Sequence, residues 1–324
     1  MRNLVRFLIT LSILLASTLG SYGEEEKLKT SFILSVSGFK DKEGDDIKFT
    51  DTILRLYKKE DQISFDVGLG SIVQPSVSGW SDKENISTVG DKFGIVWGYL
   101  TLKPLEKLKV DVGAFGSLVG YTTGATFYNP NISFSFLGCS QPFFYRAVRV
   151  TYQVEDDLSF YGTYARGKEL NGNDNDHAHS FGVIGKEMGI DYVVSYFDYS
   201  AFKNIFDVVL STSSDDFLFN YWEKVTLALN IDYQWLDGSS KDSFGFAFWV
   251  VPEKGRYSLP LRFEYENDFG GSNIFTNDGG YLYSITVTPT YKLSDTTKLR
   301  VEFVHSGGSI SNDIVVFQVL YLLR

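Results

Sequence analysis

Apolar and polar residues alternate one for one along most of this chain. Over 224–235, Val225, Leu227, Leu229, Ile231, Tyr233 and Trp235 share one parity, and Thr226, Ala228, Asn230, Asp232 and Gln234 share the other. Over 257–266, Tyr257, Leu259, Leu261, Phe263 and Tyr265 oppose Ser258, Pro260, Arg262, Glu264 and Glu266. The stretches 107–115 and 144–154 repeat the pattern. Side chains of a strand point alternately to its two faces, so each stretch predicts a strand with one apolar and one polar side. No segment beyond residue 23 keeps a helical period over three turns.

Sixteen such strands are predicted, near 31–39, 47–58, 62–70, 93–103, 106–116, 143–154, 157–166, 179–187, 189–199, 204–211, 223–236, 242–251, 257–267, 281–292, 297–305 and 313–322. The alternation is weakest over 180–187 and 204–211, and a merger there would leave fourteen. Connections after even-numbered strands are mostly tight, such as Pro104-Leu105 and Glu155-Asp156. Those after odd-numbered strands are mostly long and polar or glycine-rich, with 198–203 and the stretch before residue 223 as exceptions. Tight turns on one rim and long loops on the other are the layout of a transmembrane antiparallel β-barrel. A soluble sandwich also alternates. Two features favour the barrel: small, uncharged residues on the polar faces, and aromatics at strand ends (Tyr99, Tyr152, Tyr164, Tyr199, Trp235, Tyr265, Tyr291), where interfacial girdles belong.

The N-terminus gives the route to the membrane. Arg2 and Arg6 precede the apolar stretch 7–15, and small residues lead to Gly23, so 1–23 reads as a signal peptide and 24–324 as the barrel. Its removal takes away two Arg and no acid, deepening the formal charge of −10 by two. An acidic exported chain is a poor partner for nucleic acid. Later apolar runs, such as 314–323, fall short of the roughly 18 residues a membrane helix needs. One Cys and three His exclude a disulfide framework and leave little material for metal or triad chemistry, so no cofactor, no metal and no enzyme activity is expected.

A family resemblance runs from about Gly98 to His305. GYLTLKP at 98–104, LKVDVG at 108–113, GY at 120–121 and PFFYRAVRVTY at 142–152 are followed by NIFDVV at 204–209, LALNIDY at 227–233, LRFEYEND at 261–268, TYKLSD at 290–295 and LRVEFVH at 299–305. In this order they resemble the OmpL-like β-barrel porins of bacterial outer membranes. The resemblance implies a passive channel in the cell outer membrane with no catalytic residue to carry over. The chain departs from such barrels by ending Tyr321-Leu322-Leu323-Arg324 rather than in an aromatic residue.

The loop 117–142 spans 26 residues without a charged side chain, and loops that long have a reason. By analogy with sixteen-stranded porins it is expected to fold inward, with Tyr121, Tyr128, Asn129 and Asn131 lining a constriction; an ordinary external loop is the alternative. Lys109, Asp111, Arg149, Asp232, Arg262, Glu264, Glu266, Arg300 and Glu302 fall on polar faces and are expected to line the lumen, where rings of charge set ion preference. Their signs nearly balance, which predicts at most a weak cation preference. His177-Ala178-His179 beside the acidic stretch 171–176 reads as a solvated loop rather than a metal site. His305 lacks a readable catalytic trio, and Cys139 reads as a lone buried thiol.

The expected function is therefore diffusion of small hydrophilic solutes and ions through a water-filled barrel in contact with outer-membrane lipid. A substrate-specific channel and a closed structural or adhesive barrel are the alternatives. No patch identifies a subunit contact, so a homo-oligomer stays open.

Overall fold

The computed structural model describes residues 28–40, 45–72, 75–76, 79–80, 94–166, 177–199, 203–215, 221–237, 241–269, 280–309 and 311–323. The proposed leader and the acidic stretch 171–176 lie outside them. Sixteen antiparallel strands follow one another round one sheet: β1 Lys29–Lys40, β2 Asp45–Lys58, β3 Ile63–Ile72, β4 Gly94–Leu105, β5 Leu108–Gly116, β6 Phe144–Glu155, β7 Leu158–Arg166, β8 His177–Glu187, β9 Ile190–Asp198, β10 Lys203–Ser214, β11 Lys224–Leu236, β12 Asp242–Lys254, β13 Tyr257–Ser258 with Leu261–Asn267, β14 Tyr281–Val287 with Thr290–Lys292, β15 Thr297–Gly308 and β16 Asn312–Leu323. Strand β1 pairs with β16, Phe32 opposite Leu323, so the sheet closes on itself and no edge is left for another chain to pair with.

Both strands of weakest alternation are present as β8 and β10, so the count is sixteen rather than fourteen. β13 and β14 are each interrupted at a proline, Pro260 and Pro289, which has no N–H for the ladder. Their carbonyls still accept, from Thr288 N at 2.8 Å and Val301 N at 3.0 Å, so the sheet continues across the gap. On the tight rim, Met188 and Gly189 sit at φ 50° and 80°, the positive pair that a two-residue hairpin turn requires.

The two faces are inverted relative to a water-soluble sheet. Along β13, Arg262, Glu264 and Glu266 are 0–1% exposed while Phe263 between them is 41% exposed; along β11, Asp232 is fully buried and Tyr233 is 40% exposed. Burying charge while presenting Phe and Tyr outward is favourable only if the outside is lipid. This closed, inside-out arrangement rules out the sandwich. Tyr152 and Tyr164 point outward as expected, 47–50% exposed. Tyr99 and Tyr199 do not join the girdle. Tyr99 shares parity with the buried Thr101, and Tyr199 with the buried Phe197 and Ser195, so both turn inward.

Candidate functional site

The segment joining β5 to β6 lies inside the barrel. Its neck is closed by the pairing of Gly116 with Phe144 and by Ser117 N donating to Phe143 O at 2.9 Å. A turn follows at 125–129, stitched by Asn129, whose Oδ1 accepts from Thr123 N at 2.8 Å and whose Nδ2 donates to Thr123 O at 2.9 Å. The return limb carries one short helix, α1 Phe136–Cys139, capped by Ser135 Oγ accepting from Gly138 N.

A buried segment must find partners for its backbone, and this one carries no charge of its own. The wall supplies them. Arg262 on β13 donates to Ser133 O at 2.7 Å, and Arg300 on β15 to Thr126 O, Asn129 O and Pro130 O at 2.5–3.2 Å. Glu302 accepts from Ile132 N at 2.5 Å and Ser133 N at 2.8 Å. Further along the same wall, Asp207 on β10 accepts from Gly120 N at 3.0 Å, and Asn230 on β11 from Tyr121 N at 3.2 Å. Gln141 donates to both Asp232 oxygens, Lys203 Nζ to Ser140 O, and Thr126 Oγ1 to Asp51 on β2. Contacts to strands this far apart in the sheet are possible only through its interior.

Apolar contacts fix the same placement. Ile132 and Phe136 pack on Leu282, Val304, Ile314 and Val316, and Leu137 and Tyr121 pack on Ala228, Ala247, Trp249 and Val251. On the opposite side a cavity of about 230 Å³ remains between the segment and β2–β4, lined by Arg55, Asp66, Trp97 and Tyr99 on the wall and by Tyr128 and Thr123 on the segment.

Of the residues picked out for a constriction, Tyr128 borders this cavity and is 56% exposed. Tyr121 lies against the Trp249 ring, centroids 4.7 Å apart, Asn129 braces the segment's own backbone, and Asn131 Nδ2 donates to Thr288 Oγ1 at 2.7 Å. Of the wall charges, Asp232, Arg262, Arg300 and Glu302 lie under the segment and bond to it. Glu264 and Glu266 are buried beside them, Glu264 Oε2 at 3.0 Å from Arg262 Nε. Arg149 donates to Gly116 O at 2.6 Å, and Lys109 stands 3.1 Å from Asp111 away from the segment. Sequence reasoning passed over Arg55, Asp66, Asp51, Asp207, Asn230, Gln141 and Lys203. The strand parity that covers Asp232 already puts Asn230 on the polar face without singling it out, and the same parity applied to β10 would place Asp207 on the inner face. Nothing in the chain marks Gln141 as the partner of Asp232.

His177 and His179 stand on the outer face with rings 5.5 Å apart, and His305 Nδ1 is 2.7 Å from Asp313 Oδ1. Among the described residues no group of three His, Cys, Asp or Glu converges as a metal site.

Cys139 departs from the sequence reading. Its side chain ends α1 with surface open to the lumen rather than sealed away. The protein around it still displaces bulk water, and this, with the Glu264 carboxylate nearby, pushes the thiol up to about 12. A thiol so shifted holds roughly a thousandfold less thiolate at neutral pH than an ordinary one. Labelling by a small maleimide should therefore be slow at pH 7 and speed up about tenfold per pH unit towards pH 10. Fast labelling at pH 7 would place the thiol in bulk water instead.

The family described as “Putative beta-barrel porin-2, OmpL-like” matches residues 35–317. No curated protein sequence matches the chain. Among solved structures it is similar to the outer membrane channel DcaP of Acinetobacter baumannii (11% identity, TM-score 0.62, covering 93% of this chain and 99% of that one). It is also similar to OmpT, an outer membrane protein of Vibrio cholerae (9%, 0.61, 93% and 99%), and to a BenF-like porin from Pseudomonas fluorescens Pf-5 (11%, 0.58, 93% and 100%). At these identities the likeness speaks for the fold.

Proposed function

Since the chain belongs to the OmpL-like β-barrel porin-2 family of outer-membrane channels, we propose that segment 117–143 sets the width of its passage and that solutes cross between this segment and β2–β4. The observation that supports the reading is the asymmetry of the lumen. Wall charges on the β10–β16 side are consumed in holding the segment, while the β2–β4 side keeps a cavity bordered by polar and aromatic groups. Tyr128 is the constriction residue of this reading; Tyr121, Asn129 and Asn131 hold its frame.

Because Arg262, Arg300 and Glu302 face backbone rather than water, they contribute little field to the passage. Ion preference is then weak, in contrast to pores whose charge rings are bare. Catalysis has no place in this mechanism, which is diffusion limited by width. Purified protein in a planar bilayer should insert as discrete, ohmic conductance steps. A protein that inserts, shifts its gel mobility on heating as folded barrels do, and yet passes no current is a closed structural barrel.

A further inference from the structure

Among the described residues Arg55 and Asp66 are the only charged side chains on the cavity, and they do not face it equally. Arg55 Nε lies 2.9 and 3.1 Å from the two Asp66 oxygens, and Nη2 also pairs with Asp66. Trp97 Nε1 adds a third donor to Asp66 at 2.8 Å. The carboxylate is thus enclosed by donors, and its side chain is 11% exposed against 26% for Arg55. The cationic end of the pair is presented to the passage and the anionic end is spent behind it.

The guanidinium is also held in one orientation. Its Cζ sits 4.6 Å from the Tyr57 ring centroid, and Nη1 donates to Tyr128 OH at 3.1 Å. A guanidinium has five N–H groups in a planar fork. Asp66 takes the edge formed by Nε and Nη2, and Tyr128 takes one N–H of Nη1. One N–H on each Nη is left over by these contacts, and a carboxylate is the charge-assisted acceptor suited to them. Thr123 and Tyr99 border the same space, with Trp97 and Phe144 stacked beside it, ring centroids 6.4 Å apart.

We infer that Arg55, aimed by Asp66 and Tyr128, is the specificity-determining residue of the passage and favours small hydroxylated solutes that carry one carboxylate. The inference rests on the channel reading above. Neutralisation of Arg55 by Asp66 suits the task, since a channel site must bind weakly enough to release.

Sodium gluconate tests it, with glucose and glucosamine as the neutral and cationic counterparts, each added to one side of a bilayer holding the full-length protein. Gluconate should reduce the current saturably, and the other two should not. In Arg55→Gln the gluconate concentration for half block should rise at least about tenfold, with Arg55→Lys, which keeps the charge but loses the fork, in between. Arg55→Lys and the wild type decide the matter if Arg55→Gln fails the heat-shift test of folding. Equal responses to gluconate and glucose, or a block unchanged by either substitution, overturn the inference while leaving the channel standing. No current from any form overturns the channel reading itself.

Discussion

Replacing residues 117–143 by a two-residue Asn-Gly turn is expected to raise single-channel conductance roughly threefold or more, since an unobstructed barrel of sixteen strands leaves a wide aqueous channel. The substitution is geometrically mild, because Gly116 and Phe144 are already cross-strand partners and a two-residue hairpin can join them. Its consequences inside the lumen are large. Asp51, Asp207, Asp232, Glu264, Glu266 and Glu302 would be bared to water together with Lys203, Arg262 and Arg300, all of them buried in the intact protein. Acids then outnumber bases on the exposed wall, so cation preference, weak in the intact protein, should become pronounced in reversal potentials under a KCl gradient. The variant should also melt at lower temperature, because Leu282, Val304, Ile314 and Val316 lose their cover. An unchanged conductance in a folded variant would mean that the segment does not limit flow.

The barrel was legible because its signal is purely local. A period of two needs only neighbouring residues, and sixteen repetitions of it, sorted by alternately short and long connections, left few other closed shapes. Even the weak strands β8 and β10 follow from it. The interior was less legible, because there the partners are far apart in sequence. Glu302 accepts from backbone N–H groups 169 and 170 residues away. Parity put Arg262, Arg300 and Glu302 on the inner face, yet it could not tell a charge that lines water from one that clamps a loop.

Strand β16 carries a readable sign of the inward segment. The stretch 314–320 is apolar at Ile314, Val316 and Leu320 as well as at Val315, Phe317 and Val319, so β16 has grease on both faces apart from Gln318. A strand of that kind in a wet barrel asks for something to cover its inner side: Ile132 with Phe136 packs on Ile314 and Val316, and Ala125 lies in the cluster that holds Leu320. Tyr99 and Tyr199 leave the girdle for the complementary reason: both stand near strand ends, but parity, not nearness to an end, decides the face.

Replacement of Arg262 by Met is expected to cost about 3–5 kcal/mol of stability, the range for removing one partner of a buried ion pair. The side chain is 1% exposed and makes four contacts that Met cannot replace: Glu264 Oε2 at 3.0 Å from Nε, Ser133 O at 2.7 Å, Ser133 Oγ at 3.2 Å and Thr286 Oγ1 at 3.2 Å. Its loss strands the carboxylates of Glu264 and Glu266, both fully buried; Glu264 Oε2 would keep Ser284 Oγ at 2.7 Å, whereas Glu266 has no side-chain donor among the described residues. The measurement is urea unfolding in detergent micelles, followed by tryptophan fluorescence and by the heat-shifted gel band. If the cost arises from stranded charge, Arg262→Met combined with Glu264→Gln should recover a substantial part of it, because a neutral amide needs no counter-ion. If it arises instead from the lost grip on Ser133, the double variant will be no more stable than the single one and both will show the raised, noisier conductance of a loosened segment. A single variant as stable as the wild type would remove Arg262 from the clamp and leave Arg300, Glu302 and the apolar patch under Ile132 and Phe136 to hold the segment.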